Sequence, residues 1–184
     1  MNKDKIKKLT LDILFKYQGI VVLLILLDQI TKLIALNYFY IEGNNAIKLF
    51  GLDWLQFKFT FNSGAAFSSF SDMQLVLAII SIAASIAIEY VIITKKSKDK
   101  ILNTILLFVL AGAFANGIDR WLAVFPDVTG YKGVVDFIYV SWFANFNVAD
   151  IYVTLGCIAM MIYLFLFEEK LKKKQKEKEV KTHE

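Results

Sequence analysis

Four stretches of this chain, about 19–36, 75–94, 101–118 and 148–167, are long and apolar enough to cross a bilayer, and no other feature limits the fold as much. A hydrocarbon core of about 30 Å takes about 20 helical residues. Lipid offers an unpaired backbone no hydrogen-bond partner, so each stretch is expected to be a helix. The single proline, Pro126, lies outside all four. The expected fold is a membrane all-α bundle of four transmembrane helices, with a small antiparallel β-sheet outside the bilayer. Residues 1–167 form one integral-membrane domain, and 168–184 form a basic tail.

Lysine and arginine set the orientation. Sixteen of them lie in 1–18, in the loop 95–100 and in the tail, against four in the segments 37–74 and 119–147. Positive charge stays inside, so both termini are expected in the cytoplasm and the two longer loops outside. This topology accounts for the basic ends without nucleic-acid binding. The basic start resembles a secretory signal, but its apolar run continues into "DQITK" with no small-x-small cleavage site, so we read it as an uncleaved first span. Ile6, Leu9, Ile13 and Tyr17 fall on one helical stripe, which predicts a short amphipathic helix on the inner membrane surface over 5–17. The tail reads as a solvated, frayed helix that touches anionic lipid.

The outer loops carry strand signals. In "WLQFKFTFN" Leu55, Phe57, Phe59 and Phe61 alternate with Gln56, Lys58, Thr60 and Asn62, and "GVVDFIYV" is rich in β-branched and aromatic residues. Two antiparallel strands at the membrane surface are expected, with the four apolar residues of the first on one face.

Polar residues stand where they are costly. Asp28 and Lys32, one helical turn apart in the first span, read as an internal ion pair that also orients other polar groups in the bundle. Glu89 is expected to snorkel toward Lys95 and Lys96. Asn116 and Asp119 lie at the outer end of the third span, and Asn147 and Asp150 at the outer start of the fourth. Asp136 lies on the strand between them, so the three aspartates sit at one depth by topology. Two bland accounts apply. Asn147 and Asp150 suit a helix cap, and Asp119 suits an end-of-helix network closed by Arg120. Asp136, flanked by Val134, Val135, Phe137 and Ile138, has no capping role, and its neighbours would desolvate it.

Two carboxyl groups sharing one proton can activate water without serine, cysteine, histidine or metal. That suits a chain whose one histidine, His183, lies in the tail and whose one cysteine, Cys157, lies in an apolar run. Asp136 and Asp150 are the expected pair. Asp150, near a helix N-terminus, is the readier to ionise, which leaves the proton on Asp136.

"DQITK", "FNSGAAF" at 61–67, "AGAFANGIDR" at 111–120, "VVDF" at 134–137 and "FNVAD" at 146–150 together resemble the five motif regions of lipoprotein signal peptidase (signal peptidase II), over about residues 15–167. The resemblance implies a monomeric aspartic endopeptidase of the bacterial inner or plasma membrane, active near the outer leaflet without cofactor or metal. Its substrates would be diacylglyceryl-modified prolipoproteins, cut before the lipid-bearing cysteine. It implies a catalytic dyad of Asp136 and Asp150. Asn62, Asn116, Arg120 and Asn147 would surround the active site, with Asp28, Lys32, Gly64 and Asp119 in support. The strand 57–61 and the segment after it, with Gly64, Ala65 and Ala66, would cradle the peptide. Two departures stand out. Ala111 and Ala115 replace glycines common in the third region, where added methyls would tighten or shift helix packing. The segment 121–133 is also long. The alternatives are a small proton-coupled transporter using Asp28, Lys32 and Asp119, a magnesium-dependent phosphotransferase, and a Ser63–Lys32 protease. The clustering of the aspartates at one face argues against the first, and the motifs support neither of the others.

Overall fold

The computed structural model describes the backbone of residues 3–64, 74–95 and 99–182, and the side chains of 17–64, 74–93 and 99–168. Among the described residues, five α-helices and four strands follow one another in the order α1 (Lys3–Ala35), β1 (Ile47–Lys48), β2 (Leu55–Asn62), α2 (Gln74–Lys95), α3 (Lys100–Leu122), α4 (Pro126–Thr129), β3 (Val134–Val140), β4 (Asn145–Phe146) and α5 (Val148–Thr182). Four segments have the length and hydropathy of spans: Tyr17–Ile41, Gln74–Ile93, Lys100–Leu122 and Val148–Glu168. All four expected spans are present, and two are longer than expected. The first continues through wider, π-type turns at Leu36–Ile41. The third runs to Leu122, which keeps Asp119 and Arg120 inside the helix. Residues 5–17 belong to the unbroken α1 and are not a separate surface helix. The helical period of their apolar stripe suits either case, and nothing in 14–18 breaks the helix.

α3 is the central post. It packs against α1, α2 and α5, and half of its apolar window is buried, a larger share than in any other span. The other helices turn residues such as Leu23, Ile34, Ile86 and Phe165 outward, as lipid-facing surfaces do. Asp99 starts α3 by accepting hydrogen bonds from the backbone N–H groups of Ile101 and Leu102, which satisfies two donors the helix itself leaves free.

Ala111 and Ala115 are fully buried in α3, so the packing accommodates their methyl groups. The close approach falls on a neighbour. A Cβ at Gly112 would lie 2.5 Å from the Ala149 carbonyl oxygen and 2.6 Å from Val153 Cγ2, and one at Gly156 would lie 2.5 Å from Val109 Cγ2. Small residues at these two points let α3 and α5 touch through backbone. Gly112→Ala should force the helices apart and destabilise the protein by about 1–3 kcal/mol, read as a lower denaturation midpoint in detergent. An unchanged midpoint would show that the α3–α5 seam is looser than described.

The sheet has the order β1-β2-β3-β4, antiparallel throughout. The two outer strands have two residues each, too short for periodicity to announce. β2 pairs with β3 as Phe57↔Ile138 before a bulge and Thr60↔Asp136, Asn62↔Val134 after it. The extra residue resets the alternation, so the four apolar residues of β2 do not share one face. Phe59 and Phe61 cluster with Tyr40, ring centroids 5.2 and 5.3 Å away, and the rings of Phe57 and Phe137 lie 6.2 Å apart. Past the bulge the polar Thr60 and Asn62 lie on the side of Asp136, a change of face that simple alternation does not predict.

Candidate active site

Asp136 sits in the middle of β3 and is wholly buried. Its two oxygens accept from two amide side chains: Asn62 Nδ2 of β2 donates to Oδ2 at 2.9 Å, and Asn147 Nδ2 donates to Oδ1 at 2.7 Å. Burial pushes its carboxyl group up to about 7, and the negative charge of Asp150 adds to the shift. The amide hydrogen bonds and Lys32 oppose it without cancelling it.

Asp150 enters through the helix cap. The Asp150 N–H donates to Asn147 Oδ1 at 3.0 Å, and the Asn147 N–H donates back to Asp150 Oδ2 at 3.1 Å. This is a reciprocal capping box at the start of α5, so the capping account of "FNVAD" holds. It occupies only one carboxylate oxygen. The other, Oδ1, accepts from Asn116 Nδ2 of α3 at 2.7 Å. Asn147 therefore joins the two aspartates, with its side-chain amide on one and its backbone amide on the other. The same side chain also donates to Asn116 Oδ1 at 3.2 Å.

Beneath this pair lies a charged floor. Lys32 Nζ is 2.8 Å from Asp28 Oδ2, 3.0 Å from Asp119 Oδ2 and 2.8 Å from Asn116 Oδ1. An ammonium has three donors, and all three are used. Asp28 Oδ1 accepts from the Ala149 N–H at 2.7 Å, and Asp119 Oδ2 from the Val135 N–H at 3.0 Å. Each carboxylate thus fixes the backbone next to one dyad residue. The expected pair of Asp28 and Lys32 is in fact a triad with Asp119, because the sheet-side ends of α1 and α3 come together.

One expected partnership is replaced by another. Arg120 does not close a network on Asp119; its Nη1 donates to Ser81 Oγ of α2 at 2.8 Å. From there its charge still acts on Asp150, Asp119 and Asp136. Asp119 is already taken by Lys32, Val135 and Gln29, whose Nε2 lies 3.1 Å away. For Glu89 the expected partners, the Lys95 side chain and Lys96, lie outside the described residues; its Oε1 accepts a hydrogen bond from the Gln18 side chain.

Gly64 joins the site through Asn62, whose Oδ1 accepts the Gly64 N–H at 2.9 Å. Its φ of +79° suits glycine, and a Cβ there would lie 2.7 Å from Leu77 Cδ1. Ala65 and Ala66 lie outside the described residues. The eight other candidates, apart from Gly64 and Arg120, form one hydrogen-bonded and ionic network. Sequence reasoning missed three contributors. Gln29 stands beside Asp28 in "DQITK", Ser81 holds Arg120, and at Gly133 a Cβ would lie 2.4 Å from the Asn62 carbonyl oxygen. A glycine immediately before a strand is a signal for such close backbone approach; the other two depend on contacts between distant helices.

Comparison with known proteins gives this arrangement its context. A family profile for signal peptidase (SPase) II matches residues 20–166. The lipoprotein signal peptidase of Clostridium tetani is 35% identical over 150 residues, covering 79% of this chain and 89% of the relative. That of Chlamydia pneumoniae is 32% identical over 161 residues, covering 82% and 90%. A bacterial membrane enzyme solved by the in meso method superposes with a TM-score of 0.66 at 28% identity, covering 81% of this chain and 92% of that one. The matched range takes in most of all four spans, the whole sheet and the stretch that holds the network just described, and on that ground the chain belongs to the signal peptidase II family, multi-span aspartic peptidases of the membrane.

Proposed function

We propose that this protein removes the signal peptide from diacylglyceryl-modified prolipoproteins, cutting before the lipid-bearing cysteine with water activated between Asp136 and Asp150. The observation that carries the mechanism is the Asn147 bridge: one residue hydrogen-bonds both carboxyl groups, and the buried one holds its proton up to about pH 7. Asp150, which accepts two N–H donors, is the ionised base. It takes a proton from water as the oxygen attacks the scissile carbonyl carbon. The proton on Asp136 hydrogen-bonds the carbonyl oxygen as negative charge gathers there. When the C–N bond breaks, Asp150 returns its proton to the leaving nitrogen. Asn62 and Asn147 aim Asp136, and Asn116 aims Asp150. Lys32 and the two carboxylates it holds keep the surrounding backbone in place, and Arg120 adds positive charge nearby.

The charge bias of the loops puts both termini in the cytoplasm of a bacterial inner or plasma membrane, and so the dyad near the outer leaflet. A monomer contains the whole network. A diacylglyceryl anchor holds the substrate in that leaflet, where β2 and Gly64 lie beside the dyad to guide the extended peptide.

The test is a gel-shift cleavage assay on a lipidated precursor beside the same precursor without lipid. Conversion of the lipidated form alone is expected; conversion of neither, or of both equally, would overturn the reading. The same assay checks the protonation scheme. Asp136 must be neutral to donate, so the rate should fall as pH rises through about 7. A rate that keeps rising past pH 8 would contradict a proton on Asp136.

A further inference from the structure

A groove of about 550 Å³ opens between α1, α2 and α3, on the half of the bundle away from the sheet. Val21, Ile25, Ile86 and Phe114 make it apolar, and two polar side chains face each other at its far end: Gln18 of α1 and Glu89 of α2. Gln18 donates to Glu89 Oε1, but Oε2 is buried and has no hydrogen-bond partner among the described residues. A carboxylate oxygen left so in an apolar wall is costly, and a cation or donor arriving in the groove would relieve that cost. The near end of the groove abuts the active site: Ile25 is one helical turn from Asp28, and Phe114 is two residues from Asn116.

We infer that this groove seats the helical apolar part of the substrate's signal peptide, and that Glu89 receives an ammonium or guanidinium group from the peptide's basic leading segment. The inference rests on the proposed activity toward prolipoproteins. Three features point to this occupant. The groove is apolar along its length and negative at one end, matching a signal peptide's apolar stretch with positive charge before it. The negative end lies on the side where the charge bias places the cytoplasm, where that basic segment remains. The length also agrees. From Gln18 to Asp28 and Lys32 is about 10–14 residues, or about 15–21 Å along a helix, and the apolar region of a secretory signal is about 7–15 residues long. A lysine stem can lie along the apolar wall and present its charge at Glu89. Glu89 would then be a specificity-determining residue remote from the chemistry, acting on binding alone.

Two lipidated precursors test this with the full-length enzyme in vesicles. One carries its basic leading segment, and in the other those lysines and arginines are replaced by glutamate. Wild type, Glu89→Gln and Glu89→Lys are assayed on both. For the basic precursor Glu89→Gln should raise KM about 10-fold, the scale of one lost charged hydrogen bond, with kcat unchanged. For the acidic precursor it should raise KM not at all, and Glu89→Lys should process the acidic precursor better than the basic one. A KM that rises equally for both precursors would mean a packing role or a bound lipid and would overturn the inference, as would a change in kcat alone. Should Glu89→Lys fail to fold, Glu89→Gln decides alone, because a glutamine amide can keep the Gln18 contact. A wild-type enzyme that converts neither precursor would instead refute the proposed activity, an outcome distinct from a wild type that cuts both with equal KM.

Discussion

Asp136→Asn and Asp150→Asn should each slow cleavage about 10³–10⁴-fold while the protein stays folded. The two losses have different origins. Asp150→Asn removes the base: an amide accepts no proton from water, yet its oxygen can still take the Asn116 bond or the capping bond from the Asn147 N–H. Asp136→Asn removes the acid. An amide oxygen can keep the buried Asn147 donor, while the Asn62 amide, on an exposed residue, must turn or lose its bond. That costs about 1 kcal/mol and leaves the fold intact. Because the two groups act as a unit, the double variant should be little slower than either single one. Two losses that multiply would mean independent roles and would refute the shared-proton mechanism. The Asp136 variant also carries a stability signature. A carboxyl group whose folded value is raised from 3.8 to about 7 favours the folded state at low pH and progressively loses that contribution as pH rises between those values. Asp136→Asn should abolish that part of the decline in stability.

The parts of this protein legible in its sequence are those that rest on the bilayer and on topology. A run such as "LVLAIISIAASIAIEYVIIT" has few alternatives once lipid is the solvent. The shared depth of Asp119, Asp136 and Asp150 follows from where the chain leaves and re-enters the membrane. Partner identity was less legible. Lys32 has an acid one turn away in Asp28, and nothing local shows that Asp119, 87 positions later, takes a second of its three donors. Arg120 stands next to Asp119 in sequence, yet adjacent residues on a helix point in different directions, and Arg120 meets Ser81 instead. The β2 bulge escaped for a related reason. "LQFKFTFN" alternates strictly, and only pairing with β3 reveals the extra residue that puts Thr60 and Asn62 on the side of Asp136. Ala111 and Ala115, which stand in place of motif glycines, suggest crowding in the sequence. The tight point lies instead at Gly112, whose direction on α3 is set by where α5 crosses it.

Lys32→Met should be the most damaging single change to stability, about 3–5 kcal/mol. Lys32 is 1% exposed, and Asp28 and Asp119 are wholly buried, so water cannot replace the lost ammonium. Methionine matches the length of the stem but leaves two facing carboxylates without their common cation. Removing one partner of a buried ion pair costs far more than replacing the whole set by uncharged groups. The triple variant Asp28→Asn, Lys32→Met, Asp119→Asn should therefore recover much of the stability lost by Lys32→Met. It should not recover full activity, because Asp28 receives the Ala149 N–H beside Asp150 and Asp119 the Val135 N–H beside Asp136. Neutral amides hold those backbone groups more weakly than carboxylates do, and a shift of about 1 Å in the dyad can cost about 100-fold in rate. Denaturation midpoints in detergent, measured beside cleavage rates, separate the two effects. A triple variant as unstable as Lys32→Met would show that the cost lies in packing rather than in uncompensated charge.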